Sequence, residues 1–514
     1  MKKHLITILS LFILFASNAQ TSVSFYHLRN TTFQNSYLNP AWVPDGKVFL
    51  GLPGLSGVHV HLNNKLGYND IFTKENNRPT VDGAKIVSNL QSQNILSAHV
   101  NVNLLHFGYK FNKGATLSIF ANERVEADFL YSKNLIKYLN NGNIDFINDE
   151  LKIDNVGLRV QHFREIGIGY AFQPNNKLSY GLKAKYLQGF ADASTPHNLK
   201  ANISSNGEFF EVDAEVKNGV YRTSGLDIYQ GNGLVSHLIS NSNKGFALDL
   251  GIDYKLSRYY SVALSVLDIG YIKWSENVVN KTVNDTTFTY SGIALDELGN
   301  VRETLEDSLF NKLKPTETND PYNTFLPSRM YSSWTYHYSD QLSFSATVGA
   351  RYLQRKMKML YGGAVTYKFG RALTASASAV KLPQQFFNVG ASLAARGGPV
   401  QFYIAADQVI NFSLPDAKAI DFRIGMNFIF GGWRRGGKDA NSDYSSPFSS
   451  QSRPKTKAKG IDTGVFLGSE VKTKRREGIY SIIKRQKKRQ VDTSLKKRKK
   501  GVTKKALPAK KFEE

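Results

Sequence analysis

The sequence predicts an all-β membrane protein, an antiparallel barrel of about fourteen strands that crosses an outer membrane. Three observations carry this. Many segments alternate apolar and polar residues, as Leu342, Phe344, Ala346, Val348, Ala350 and Tyr352 do against Gln341, Ser343, Ser345, Thr347, Gly349 and Arg351. Successive side chains of a strand point to opposite faces, so such a run has one greasy face and one wet face. The alternation recurs along some 400 residues, the pattern expected with lipid outside and water inside. The N-terminus also reads as an export signal: Lys2 and Lys3, an apolar core from Leu5 to Ala16, and small residues at Ser17-Asn18-Ala19. A signal of this form is cleaved, here leaving Gln20 first (residues 1–19 removed).

In chain order, strand candidates lie near 47–62, 97–111, 114–125, 163–173, 178–186, 198–218, 246–256, 258–272, 328–338, 341–352, 358–369, 372–381, 385–396, 399–407 and 420–430. Ten residues at ~3.3 Å each, tilted near 45°, rise about 23 Å, close to the ~25 Å apolar band of an outer-membrane barrel. One candidate slips phase: Val100, Val102 and Leu104 hold one parity, Leu105, Phe107, Tyr109 and Phe111 the other. A β-bulge near Leu104 or an apolar patch on the lumen side would each accommodate it.

Tight connections are expected at 112–114, 173–176, 257–258, 339–340, 370–371 and 397–399, which carry the Gly, Asn, Asp and Pro chemistry of hairpins. Long connections are expected over 126–162, 219–243 and 273–326, with a short helix between Asn134 and Leu151. Short turns belong on the periplasmic side and long loops outside. Trp274, Trp334, Tyr336 and Tyr338 suit an aromatic girdle, although ordinary packing explains aromatic residues as easily. Residues 20–46, with Asn39, Pro40, Ala41 and Trp42, read as a plug or periplasmic segment, the rival being a first strand over 47–62.

The chain lacks cysteine, which removes disulfides, thiol chemistry and cysteine metal sites. Its charge is lopsided. Residues 432–514 carry 25 Lys and Arg against 8 Asp and Glu, a net of +17 out of +24 for the whole chain. Low hydrophobicity with like charge predicts a disordered periplasmic tail after a barrel that spans 47–431. The densest blocks are Lys484, Arg485, Lys487, Lys488 and Arg489, then Lys496, Lys497, Arg498, Lys499 and Lys500. Nucleic acid fits them poorly, because few aromatic residues are interleaved. Cell-wall polymer, lipid phosphate or an acidic protein fits better as an anionic partner.

No phosphate loop, nucleophile elbow or zinc-protease helix appears, so neither catalytic residues nor a cofactor is assigned. His59 and His61 share a face but lack a third metal ligand. Lys183, Lys185, Asp249, Asp253, Lys255, Arg351, Lys368, Asp421 and Arg423 fall on polar faces and are the lumen candidates. They would either line a selectivity path or pair across the lumen and fill it.

From Thr32 through Asn39-Pro40-Ala41-Trp42 to Gly51-Leu52-Pro53-Gly54 the chain resembles a family of Bacteroidota outer-membrane proteins of unknown function. The resemblance returns at Gly397-Gly398-Pro399-Val400, at Ala405-Ala406-Asp407-Gln408 and at Arg423 to Phe428, and so covers roughly residues 25–431. That family is similar to the long-chain fatty-acid transporter type of barrel, which has fourteen strands and a lumen plugged by its N-terminal segment. The resemblance implies uptake of hydrophobic or amphipathic small molecules. Alternatively it implies a non-transporting scaffold in a secretion, gliding or envelope complex, since relatives with this architecture serve type IX secretion and gliding.

Overall fold

A computed structural model describes residues 23–431, apart from 113, 143–145, 148, 206–211, 227–242, 291–314, 354–355, 382–386 and 410–417. Fourteen antiparallel strands close into a barrel. Strand β1 has two segments, Val48–Gly51 and Val58–Asn63, followed by β2 (Gln93–Lys110), β3 (Ala115–Ser132), β4 (Glu150–Phe172) and β5 (Leu178–Ser194). Strand β6 is again interrupted, Gly219–Ser224 then Asn243–Lys255. Strand β7 (Tyr260–Trp274) continues as Val278–Val283, and β8 is assembled from Thr316–Thr318, Tyr322–Phe325 and Arg329–His337. The remainder are β9 (Leu342–Leu353), β10 (Lys356–Phe369), β11 (Leu373–Lys381), β12 (Phe387–Gly397), β13 (Val400–Ala406) and β14 (Ala419–Phe430). Both segments of β1 pair with β14 as well as β2, which shuts the cylinder and removes its edges.

The two faces separate as the alternation requires. Leu250 and Phe344 point outward and are exposed, whereas Thr347 and Arg351 point inward and are buried. Six tight turns gather at one end, and Gly114, Gly370 and Gly398 in them hold positive φ. Tyr260, Trp334, Tyr336, Tyr338 and Phe369 stand on the outer wall near these turns. Trp274 departs from the girdle reading. It is fully buried inside the wall, where its Nε1 donates to Thr324 Oγ1 at 2.7 Å.

At the opposite end the strands outrun the membrane, so the long loops are shorter than the sequence indicates. Residues 126–132 and 150–162 belong to β3 and β4, flanking helix Lys133–Asn141, and most of the described residues within 273–326 are strand. The 198–218 candidate is not barrel wall. It forms a hairpin, Leu199–Ser205 with Val212–Lys217, that builds a small outer sheet with Thr286–Tyr290 and the first residues of β4. Its polarity alternates because a hairpin standing in water also has one covered face.

The Leu104 ambiguity resolves as a bulge, since the β2–β3 register shifts between Asn103 and Leu105. A second bulge lies in β7. Leu248 faces Ile269 but Leu250 faces Val266, which sets two residues, Leu267 and Asp268, against the single Asp249, with Asp268 at φ 59°.

Candidate functional site

The segment ahead of β1 lies inside the barrel, so plug and first strand both exist. The plug begins with helix α1 (Val23–Tyr26), continues through 3-10 turns Arg29–Thr31 and Phe33–Tyr37, and reaches the wall at Asn39–Trp42. Its apolar side chains, among them Phe25, Tyr26, Leu28, Leu38 and Trp42, form one cluster with Tyr331 and Tyr403 of the wall. Wall carboxylates fix its two ends. Asp407 accepts from Val23 N at 2.8 Å and Ser24 N at 2.7 Å, which satisfies two orphan donors at the start of α1. Asp253 accepts from Trp42 Nε1 at 2.8 Å and pairs with Arg29 at 2.6 Å, and the Arg29 guanidinium lies 5.3 Å over the Trp42 ring.

The Asn-Pro-Ala sequence has a local explanation. Asn39 Oδ1 accepts from Ala41 N at 3.0 Å, while its Nδ2 donates to the carbonyls of Ile252 and Leu264, both at 3.2 Å. Pro40 then lies against two wall glycines. A Cβ on Gly181 would stand 2.2 Å from Pro40 backbone, and one on Gly251 would stand 2.1 Å from Asn39 Oδ1. Only glycine admits this approach.

Beyond the plug the lumen holds a network of buried ions. Asp268, aimed inward by its bulge, meets Arg329 at 2.6 Å, Lys185 at 2.7 Å and Arg124 at 3.1 Å. Lys185 also pairs with Asp249 at 2.7 Å, and Arg124 with Glu126 at 2.5 Å and Glu165 at 3.1 Å. Arg159 pairs with Glu126 at 2.9 Å, and Arg351 with Asp128 at 3.0 Å. On β14, Asp421 Oδ2 accepts from both His59 (3.0 Å) and His61 (2.9 Å), and Arg423 meets His59 Nδ1 at 3.1 Å.

Counted over these described residues, six cations (Arg124, Arg159, Lys185, Arg329, Arg351, Arg423) stand against six carboxylates (Glu126, Asp128, Glu165, Asp249, Asp268, Asp421). Within this network the charges therefore balance. The cavity between plug and network measures about 90 Å³ and is lined by His59, His99, Glu165 and Arg329 among others. An apolar molecule there would strip water from ions that need it.

The lumen candidates from the sequence all lie on the inner face, in different places. Lys185, Asp249, Arg351, Asp421 and Arg423 are in the network region, and Asp253 holds the plug. Lys183 donates to Ser36 Oγ at 2.9 Å and sits 3.7 Å over the Tyr37 ring. Lys255 and Lys368 line a second cavity near the tight turns, with His27 and Arg29. His59 and His61 converge on a carboxylate, and among the described residues no three side chains assemble a metal site. The tail blocks from Lys484 to Lys500 and the export signal lie outside the described residues.

Sequence reasoning missed Arg124, Glu126, Asp128, Arg159 and Asp268. The first three share a parity with Asn122, and that run was visible. The last was hidden by the β7 bulge, where Val262, Leu264 and Val266 change phase to Ile269 and Tyr271.

A closed fourteen-stranded barrel with an apolar outer face, a hydrophilic interior and an internal plug is an outer-membrane barrel. The chain belongs to the family of unknown function DUF5723, whose model matches residues 40–407. No curated protein matches it. Among solved structures it is similar to the toluene transporter TbuX of Ralstonia pickettii, at 9% identity and TM-score 0.39, over 81% of this chain and 100% of that one. It is also similar to a FadL homologue of Pseudomonas aeruginosa, at 9% identity and TM-score 0.39, over 81% and 99%. The toluene transporter TodX of Pseudomonas putida follows at 10% identity and TM-score 0.35, over 77% and 92%.

Proposed function

We propose that this protein is a closed outer-membrane scaffold, in which the barrel anchors external loops and a basic periplasmic tail for partners in an envelope, secretion or motility complex. One observation carries the reading: a plug and a charge-balanced ion network occupy the lumen, with a cavity of about 90 Å³ between them and a second of about 60 Å³ beside the tight turns. Pores that pass solutes keep a continuous watered path, and filling it removes the route. The tail would dock on cell-wall polymer, lipid phosphate or an acidic protein.

A second reading, uptake of hydrophobic or amphipathic small molecules, is favoured by the break in β1. Residues 52–57 leave the ladder, and the gap is bridged by Gly54 N to Asn103 O at 3.0 Å and Met426 N to Leu55 O at 2.7 Å. Gly57 and Val58 beside it line the lumen cavity. Opening there would connect the cavity to lipid.

Proteoliposomes holding the full chain separate the two. The scaffold reading expects no ion conductance and no entry of a labelled long-chain fatty acid, together with partners that co-purify after crosslinking and are lost on truncation after Trp433. Saturable fatty-acid entry would overturn it in favour of uptake. Steady conductance would overturn both.

A further inference from the structure

The outer wall carries an unbalanced charge pair where the apolar band ends. Lys244 on β6 and Lys273 on β7 face one another directly across the ladder. Both are exposed, on the parity that points away from the buried Trp274 and Ile272. Like charges directly opposite destabilise a sheet. Neither ammonium has a carboxylate within ion-pair distance among the described residues. The neighbours are otherwise matched: Arg164, two strands from Lys244 in the same row, pairs with Glu123 at 2.7 Å, and Lys281 further along the wall pairs with Glu317 at 3.8 Å.

Position supplies the rest. One step nearer the membrane midline the same face carries Phe246, Tyr271 and Phe325, in register with one another and all exposed. From Phe246 the outward column continues through Leu250, Ile252 and Tyr254 to Leu256. Those ten steps at ~3.3 Å, tilted near 45°, rise about 23 Å, the thickness of the apolar band. The two lysines therefore stand at the headgroup level of the leaflet on the long-loop side, which is the outer leaflet when the tight turns face the periplasm.

We propose that Lys244 and Lys273 together bind a phosphate of an outer-leaflet lipid, whose acyl chains lie along the Phe246–Tyr271–Phe325 surface. An anion between the ammoniums relieves their repulsion, and the rings below accept hydrocarbon. The arrangement selects a phosphorylated headgroup over a neutral one. It would hold annular lipid against the side of the barrel formed by β6 and β7.

The test is native mass spectrometry of the full chain in detergent, with lipid A bisphosphate, its dephosphorylated form, or inorganic phosphate as the probe. The wild type is expected to retain the phosphorylated lipid at least tenfold more than the dephosphorylated one. The double variant K244Q/K273Q should lose that tenfold preference, while K281Q keeps it; mobility of unheated samples on gels confirms that all are folded. Equal retention by wild type and double variant, or by the two lipid forms, would overturn the proposal. So would displacement of the lipid by millimolar inorganic phosphate, which would show a site for the free ion.

Discussion

Replacing Asp268 with asparagine tests whether the ion network holds the lumen together. The substitution keeps shape, and asparagine tolerates the positive φ of the bulge. What disappears is a charge facing three cations. Arg124 retains Glu126 and Glu165, and Lys185 retains Asp249, but Asp268 is the only ion-pair partner of Arg329 among the described residues. Removing one partner of a buried pair leaves an uncompensated charge and costs about 3–5 kcal/mol. Since two of the three cations keep other partners, most of that loss comes from Arg329. The double variant D268N/R329M should then recover at least ~1.5 kcal/mol relative to the sum of the single changes. Urea unfolding of the refolded barrel in micelles, followed by tryptophan fluorescence, measures both quantities. A single-variant loss under ~0.5 kcal/mol, or strict additivity in the double variant, would refute the idea that these ions are coupled.

Two further outcomes concern the plug. Gly251→Ala places a Cβ 2.1 Å from Asn39 Oδ1, so it should destabilise by about 1–3 kcal/mol and expose the plug to protease. Gly363→Ala, whose Cβ meets only Ser345 O at 3.6 Å, should do neither, and equal proteolysis of the two variants would count against the fit described here. His27 is buried in the plug with its Nδ1 2.8 Å from Ser345 Oγ; burial first, and Arg29 second, lower its pKa from 6.5 to about 3. The unfolded state then binds the extra proton, so stability is unaffected above pH 6.5 and declines as pH falls from there toward 3. Denaturation midpoints of wild type and His27→Gln measured across that range should diverge below pH 6.5, and parallel curves would show that His27 does not titrate in this way.

The barrel was legible because period-two alternation survives in every strand that lipid touches, and the tight turns carry residues that only turns want. The strand ends were less legible. Beyond the membrane, as in 126–132 and 150–162, both faces are covered by protein or water and the apolar contrast fades. Nine inward-facing ions were found from parity alone, yet their partners were not, because pairing across a lumen joins residues far apart in sequence, such as Arg124 and Asp268. Asp407 lay within a recognised motif, but only the fold shows that it anchors the plug. Trp274 stayed ambiguous because an aromatic ring near a strand end suits a girdle and a buried cluster equally, and the fold buries it.

The β7 bulge joins the wall and the lumen in one device. Before it, Val262, Leu264 and Val266 point to lipid; after it, Ile269 and Tyr271 do. A regular strand would continue the first parity, so Asp268 would face hydrocarbon while Ile269 and Tyr271 turned among the ions. A carboxylate on the lipid face of a barrel strand is destabilising, by less than the ~2–4 kcal/mol of a basic residue at the midplane, and the lumen would lose the anion shared by Arg124, Arg329 and Lys185. One extra residue removes both penalties. The Asn103/Leu105 shift works the same way on β2, keeping Asn103 inward, 2.7 Å from Asn122 Oδ1, and Leu105 outward. Irregularities in this wall thus follow from what the interior holds: polar groups needed inside are brought there by local slips in register, while the outer face stays continuously apolar.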